Sequence, residues 1–366
     1  MKLYKKNYKI IIMLLLSIVI ILFTYNDYFL YKTPILKVTN IESKLEDSHL
    51  YGEEYYVQNI TGIIMNGKYK GNIVKTTNNY SKSLVYDDKI EKNSELLVKL
   101  SNDGNKVTSI ENIKRDKYLV ILLVIFLDLI LLIAGKQGIK TLVSLLSNIA
   151  ISALAIITFE NNHRKINMLI LYLIVSIIFI VISLFITNGK SKKTSAAIIS
   201  SIISLFLSFG LSFALISLFG NNLYIWGMDY IEVVHDYHNF LYVSILLCGL
   251  GAIMDIAITI SSSLSELITK NPKIDRKTLF KSGKVISKDI VGTMINVMLF
   301  TCYTSVIPTV LLAIKNNMTL ANALDFYGSL ELTIVLCNCI GIVLTIPVSL
   351  YISILILTKK VVIKDE

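Results

Sequence analysis

After Lys117 the chain consists almost entirely of long apolar stretches, at about 118–134, 141–159, 166–187, 195–219, 240–265, 289–314 and 330–357. Each is close to or above the roughly 20 residues that a helix needs to cross a hydrocarbon core about 30 Å thick. A backbone in lipid must satisfy its own hydrogen bonds, so runs of this length fold as membrane helices. An eighth run, IIIMLLLSIVIILF, lies near the N-terminus behind MKLYKKNYK. It has the charge and apolar profile of a signal peptide, but no small-x-small cleavage site follows in TYNDYFLY, so it is expected to stay as an anchor. The expected fold class is therefore an all-α polytopic membrane protein of about eight transmembrane helices. Composition agrees, since 54% of residues are hydrophobic and only 17% charged.

One segment breaks the pattern. Between Asn26 and Lys117 lysines and acids nearly balance, and runs such as YYVQNITGIIM and NSELLVKL alternate as short strands around Gly62, Gly67, Gly71 and an Asp103-Gly104 turn. A small β-rich domain is expected there, outside the cytoplasm. It contains no cysteine, so no disulfide supports its modest core. The domain reading is residues 1–25 as the anchor helix, 26–117 as the β domain, and 118–366 as a seven-helix membrane domain with a basic cytoplasmic loop at 266–288.

The net charge of +10 could suggest a nucleic-acid partner, but the lysines gather between spans rather than on a soluble face. With the N-terminus placed inside, the inner segments hold nineteen lysines and arginines, including Lys136, Lys190, Lys192, Lys193, Lys273 and Arg276, while the short outer loops hold Arg164, Lys165 and Lys315. That asymmetry puts both termini in the cytoplasm of a multi-pass cell-membrane protein, with the β domain outside. The outer loop NNLYIWGMDYIEVVHDYHN, with Trp226 and no lysine or arginine, suits a membrane interface. The expected partners are the lipid bilayer, a small solute or ion, and, on the scaffold alternative, a protein bound to the outer domain; no nucleic acid and no cofactor are expected.

Polar residues inside the spans carry what functional signal there is. On the span beginning at Phe240, Ser244, Cys248, Gly251, Ala252, Asp255, Thr259, Ser262 and Glu266 fall on one stripe at 100° per residue, with Leu246, Ile253, Ile260 and Leu264 elsewhere. On the next, Asp289, Thr293, Asn296, Phe300 and Tyr303 share a face. A charge in a span is costly, so two such stripes suggest a shared polar interior. Gly249, Gly251 and Gly292 are the glycines expected at close helix contacts.

The runs GLGAIMDIAITISSSLSEL and LFKSGKVISKDIVGTMINVMLF, with GKQGIKTLVSLLSNIAI earlier, resemble the YibE/F-like membrane proteins. Gly251, Asp255, Glu266, Ser282, Gly283, Asp289, Gly292, Thr293 and Asn296 match in order and spacing, and the likeness covers about 118–357. TGIIMNGKYKGNIV fits the same pattern more weakly. Ser287-Lys288 stands where the family often has a second small residue or an arginine before the aspartate. The resemblance implies a multi-pass membrane protein of permease type, and little chemistry.

At 1.5 Å per residue, Asp255, Asp128 and Asn296 all lie on the order of 9 to 15 Å from the cytoplasmic surface. They could form an ion or solute site with Thr259, Asp289 and Thr293. Each carboxylate could instead bridge two helices, or, for Asp289 and Glu266, pair with Lys288 and Lys270. An intramembrane aspartyl protease is set aside, because the aspartates follow Met254 and Lys288 rather than tyrosine and Gly-x-Gly; no enzymatic activity is expected. His235 and His238 lack further ligands for a metal, Gly189-Lys190-Ser191 lacks the upstream glycine of a phosphate loop, and the four cysteines read as apolar fillers. The functional reading is a permease or channel-like transporter with a polar site in the cytoplasmic half. The alternative is a non-transporting scaffold whose outer β domain binds a partner.

Overall fold

A computed structural model describes residues 2–48, 54–84, 87–101, 103–162, 166–219 and 237–358. The outer loop with Trp226 and His235, and the lysines at 165, 359, 360 and 364, lie outside the described residues; nothing is described of the His238 side chain. The elements run α1 (Lys2–Thr24), a 3-10 turn (Asp27–Leu30), β1 (Ile35–Ser48), β2 (Glu54–Ile64), β3 (Ile73–Ser81), β4 (Glu95–Leu100), β5 (Val107–Ile113), α2 (Asp116–Asn161), α3 (Met168–Asn188), α4 (Lys192–Phe219), α5 (Tyr237–Lys270), α6 (Arg276–Lys315) and α7 (Leu320–Thr358). They form two compact units, Met1–Gly138 and Ile139–Glu366.

The first unit contains the β domain, an antiparallel sheet in the order β3-β2-β1-β4-β5. The runs YYVQNITGIIM and NSELLVKL supply β2 and β4, and the Asp103-Gly104 turn joins β4 to β5 with Gly104 at φ 68°. Leu36, Val38, Ile60, Ile64, Leu96 and Val98 form its core. Buried Gln58 is fully satisfied: its carbonyl accepts from the Ile90 N–H and the Asn78 amide, and its own amide donates to the Ile90 carbonyl.

Where the sheet meets its flanking helices, Lys114 is only 3% exposed and lies among three carboxylates. Its Nζ is 2.7 Å from Asp27, 2.9 Å from Asp116 and 3.6 Å from Glu95. The Tyr28 hydroxyl donates to Glu95 at 2.6 Å, and that of Tyr31 donates to Asp116 at 2.7 Å. Burial and these acidic acceptors push both phenols up to about 12, so they stay neutral donors. Burial alone would lower the Lys114 ammonium, but its hydrogen bonds to Asp27 and Asp116 outweigh that and hold it above the ordinary lysine value. One ammonium cannot balance three carboxylates. Asp27, buried and facing Asp116 as well as the lysine, is therefore shifted upward, by burial first.

The spans expected at 118–134 and 141–159 are the two arms of α2, broken at Gly135, where φ 52° and ψ −124° leave the helical region. By length and composition six helices among the described residues could cross a membrane, from α2 to α7, with the two arms of α2 counted as one and a shorter apolar stretch at Ile12–Thr24. The structure is thus mostly helical, with the β domain after the first helix, and six helices, one of them holding two of the expected spans, are long and apolar enough by this measure, which does not reach the count of about eight.

In the second unit α7 packs against α4, α5 and α6, and α3 packs against α4 and α5. The basic stretch at 266–288, whose sequence suits either a solvated loop or a helix end, a break at Pro272 and a short basic helix, is largely helical: α5 continues to Lys270, and only Asn271–Asp275 connect it to α6. Asp275 caps α6 by accepting from the Thr278 N–H at 3.0 Å. Leu279, Gly283 and Ser287 then repeat every four residues as a buried face, and Leu279 joins a cluster with Leu264, Leu350 and Ile354. The lysines of this stretch are carried on the opposite side of a packed helix.

Candidate functional site

The second unit contains a cavity of about 710 Å³ beside the α3–α4 turn. One wall is Asn188, Ser191, Lys192 and Lys193; the other is Thr259, Ser262, Ser263, Ser265, Glu266 and Thr269 of α5, with Ile258 the single apolar member. The turn exists because Gly189, at φ 71°, ends α3, and because Ser191 opens α4, its hydroxyl accepting from the Thr194 N–H. The α5 wall follows from spacing, since residues three and four apart share a helix face. Glu266 pairs with Lys270 at 2.8 Å on the same face. The Thr259 and Thr269 hydroxyls donate to the carbonyls of Asp255 and Ser265, four residues back.

Of the residues expected to form a site, Thr259 lines this cavity. Asp255 lies one turn away on the same exposed stripe and accepts no side-chain hydrogen bond among the described residues; Asp289, Thr293 and Asn296 sit on an exposed face of α6. Asp128 belongs to the first unit, where its carboxylate accepts from the Ser17 hydroxyl of α1 at 2.9 Å. That bond joins α1 to α2 within the first unit. Among the described residues no group of three His, Cys, Asp or Glu converges as a metal ion would require.

The polar stripe of α5 was expected to face the bundle interior, and the structure turns it the other way. Leu246, Ile253, Ile260 and Leu264 are the buried face, while Cys248, Gly251, Asp255, Thr259 and Glu266 are exposed. The interior has another polar seam. Ser200, Ser201, Ser204, Ser208 and Ser212 of α4 are buried, as are Asn338, Thr345, Ser349 and Ser353 of α7, and Ser353 shares a 2.7 Å hydrogen bond with Ser261 of α5. Small side chains let the helices approach closely: a Cβ on Gly341 would collide with Ser208, and one on Gly249 with Asn338. Gly249 is thus a contact glycine, whereas Gly251 and Gly292 have nothing within 4 Å of a would-be Cβ. Gly341 and the α4 serines were missed, although Ser200, Ser204, Ser208 and Ser212 recur every four residues in plain view.

Six apolar helices of spanning length among the described residues, packed in part through serine and glycine and joined to a β domain that follows the first helix, define an integral membrane protein. Two family models match it. The one described as YibE/F-like protein covers residues 122–359, and the one described as YibE/F family N-terminal domain covers residues 29–114. The chain belongs to the YibE/F family, with the second domain boundary falling at the end of the β domain. No curated protein and no solved structure matches it.

Proposed function

We propose that this chain is a permease that moves a small polar solute or ion, with a path that opens through the cavity beside the α3–α4 turn. The observation that supports this reading is the cavity wall, where ten of eleven residues are polar in a unit otherwise built from apolar helices. Its volume of about 710 Å³ falls within the roughly 300–1,000 Å³ usual for small-molecule sites. Asp255 extends the polar stripe one turn beyond Thr259. A carboxylate exposed to hydrocarbon at the centre of a helix costs roughly 2.5–3.5 kcal/mol on insertion scales, so a water-lined path suits it better than lipid. The charge asymmetry supports a cytoplasmic opening for the cavity, whose wall includes Lys192 and Lys193.

A scaffold reading draws on β1, which pairs with β4 only over Ile35–Lys37, so that its distal half has a strand neighbour on one side alone among the described residues. Flux separates the two. In liposomes carrying the purified protein, the flux of at least one of proton, sodium, potassium and phosphate should exceed that in protein-free liposomes. Asp255→Asn keeps size and hydrogen bonding but removes ionisation, and should reduce the flux by about tenfold or more at unchanged thermal stability. Flux no higher than in empty liposomes, or a loss that tracks a fall in stability, would remove the transport reading and favour the scaffold.

A further inference from the structure

We propose that the cavity beside the α3–α4 turn is an oxyanion site that takes a phosphate-type group, carried by a free anion or by a lipid headgroup; this rests on the permease reading only in requiring that the cavity be open to water. The charge of the wall points that way. Lys192 and Lys193 contribute two ammonium groups, and neither has an ion pair or hydrogen bond with a described residue. The single carboxylate, Glu266, is already neutralised by Lys270 at 2.8 Å. The wall is therefore net positive, and a cation entering it would meet two unpaired ammonium groups and no unpaired carboxylate.

The neutral groups agree. Ser191 is engaged with Thr194, and Thr259 and Thr269 are bonded to backbone carbonyls, but the hydroxyls of Ser262, Ser263 and Ser265 have no acceptor among the described residues. Three free hydroxyls and two ammonium groups are donors without acceptors, which is the complement of a group with several acceptor oxygens. The first turn of α4 carries no acidic residue, so its backbone dipole adds to the positive potential at the same wall. The Gly189-Lys190-Ser191 run does not build a phosphate loop; two helices, α4 and α5, supply the donors instead.

The test uses the full chain in nanodiscs, with Cys248, Cys302, Cys337 and Cys339 replaced by serine and with Ser263→Cys as reporter for a membrane-impermeant maleimide. In phosphatidylcholine discs the introduced thiol should react, and inorganic phosphate should slow the reaction about tenfold relative to chloride at equal ionic strength. If a headgroup is the source, phosphatidylglycerol in the disc should protect instead. Lys192→Gln with Lys193→Gln should abolish either protection. As a second measurement on the native-cysteine chain, phosphate or phosphatidylglycerol should raise the thermal midpoint, and the double lysine variant should lose that rise. A thiol that reacts but is protected by neither probe would overturn the oxyanion site while leaving a water-filled cavity for the permease. A thiol that never reacts would remove both.

Discussion

Asp27, Glu95 and Asp116 lie far apart in the sequence, yet all three meet Lys114 within 3.6 Å. No local pattern announces such a cluster, because its members come from a turn, a strand and a helix start, and only the closed sheet brings them together. The upward shift of Asp27 has a definite sign. Its folded state holds a proton more tightly than the unfolded chain, so the associated stability is present below the ordinary value of 3.8 and lost as pH rises through the raised folded value. Asp27→Asn is permanently neutral. In thermal melts of the full chain it should match or exceed wild type at neutral pH, with the gap closing as pH falls towards 3.8. Lys114→Met, which leaves the buried carboxylates unpaired, should cost on the order of 3–5 kcal/mol. If Asp27→Asn were destabilising to that extent at neutral pH, the charged form of Asp27 would be the one the fold needs.

At the scale of elements, α2 depends on a single backbone conformation. Gly135 takes φ 52° and ψ −124°, which residues with a Cβ rarely adopt, although there is open space where the Cβ would go. Gly135→Ala should therefore cost about 1–3 kcal/mol through strain alone, read as a lower thermal midpoint of the purified chain, and an unchanged midpoint would show that α2 tolerates a straight helix there. Two apolar runs separated by AGKQG were legible as two spans, but that the break occurs at one residue inside a continuous element was not. α5 shows the opposite limit. Its two faces were separated correctly by helical spacing, but which face turns inward was not decided by that spacing. In lipid both apolar and small polar faces can be buried, and the choice fell to the packing of Ile253 beside Gly341 of α7 and of Ile260 in a cluster with Leu279 of α6 and Ile342 and Leu350 of α7.

For the whole molecule the untested quantity is orientation, which rests on the distribution of lysine and arginine. Lys273→Cys, in the connection between α5 and α6, should react with an impermeant thiol reagent only from the cytoplasmic side of intact cells, and Asn79→Cys, exposed on β3, only from outside. Reaction from the opposite sides would reverse the placement of the cavity and of the β domain together.

Some properties of this protein are written along the chain itself. Apolar run length fixes which segments are membrane helices, period-2 alternation marks β2 and β4, and ordered matches such as Gly251, Asp255, Asp289 and Asn296 point to the YibE/F family, because each depends on neighbours within one element. The tertiary structure decided what depends on distance between elements. It assigned Asp128 to Ser17, turned the Asp255 stripe away from the core, set Ser208 of α4 against Gly341 and Gly249 of α5 against Asn338, and joined Lys192 and Lys193 to Thr259 around one cavity. Side-chain periodicity can tell a helix that it has two faces, but only the shapes and polar groups of the helices packed against it determine which of them is buried.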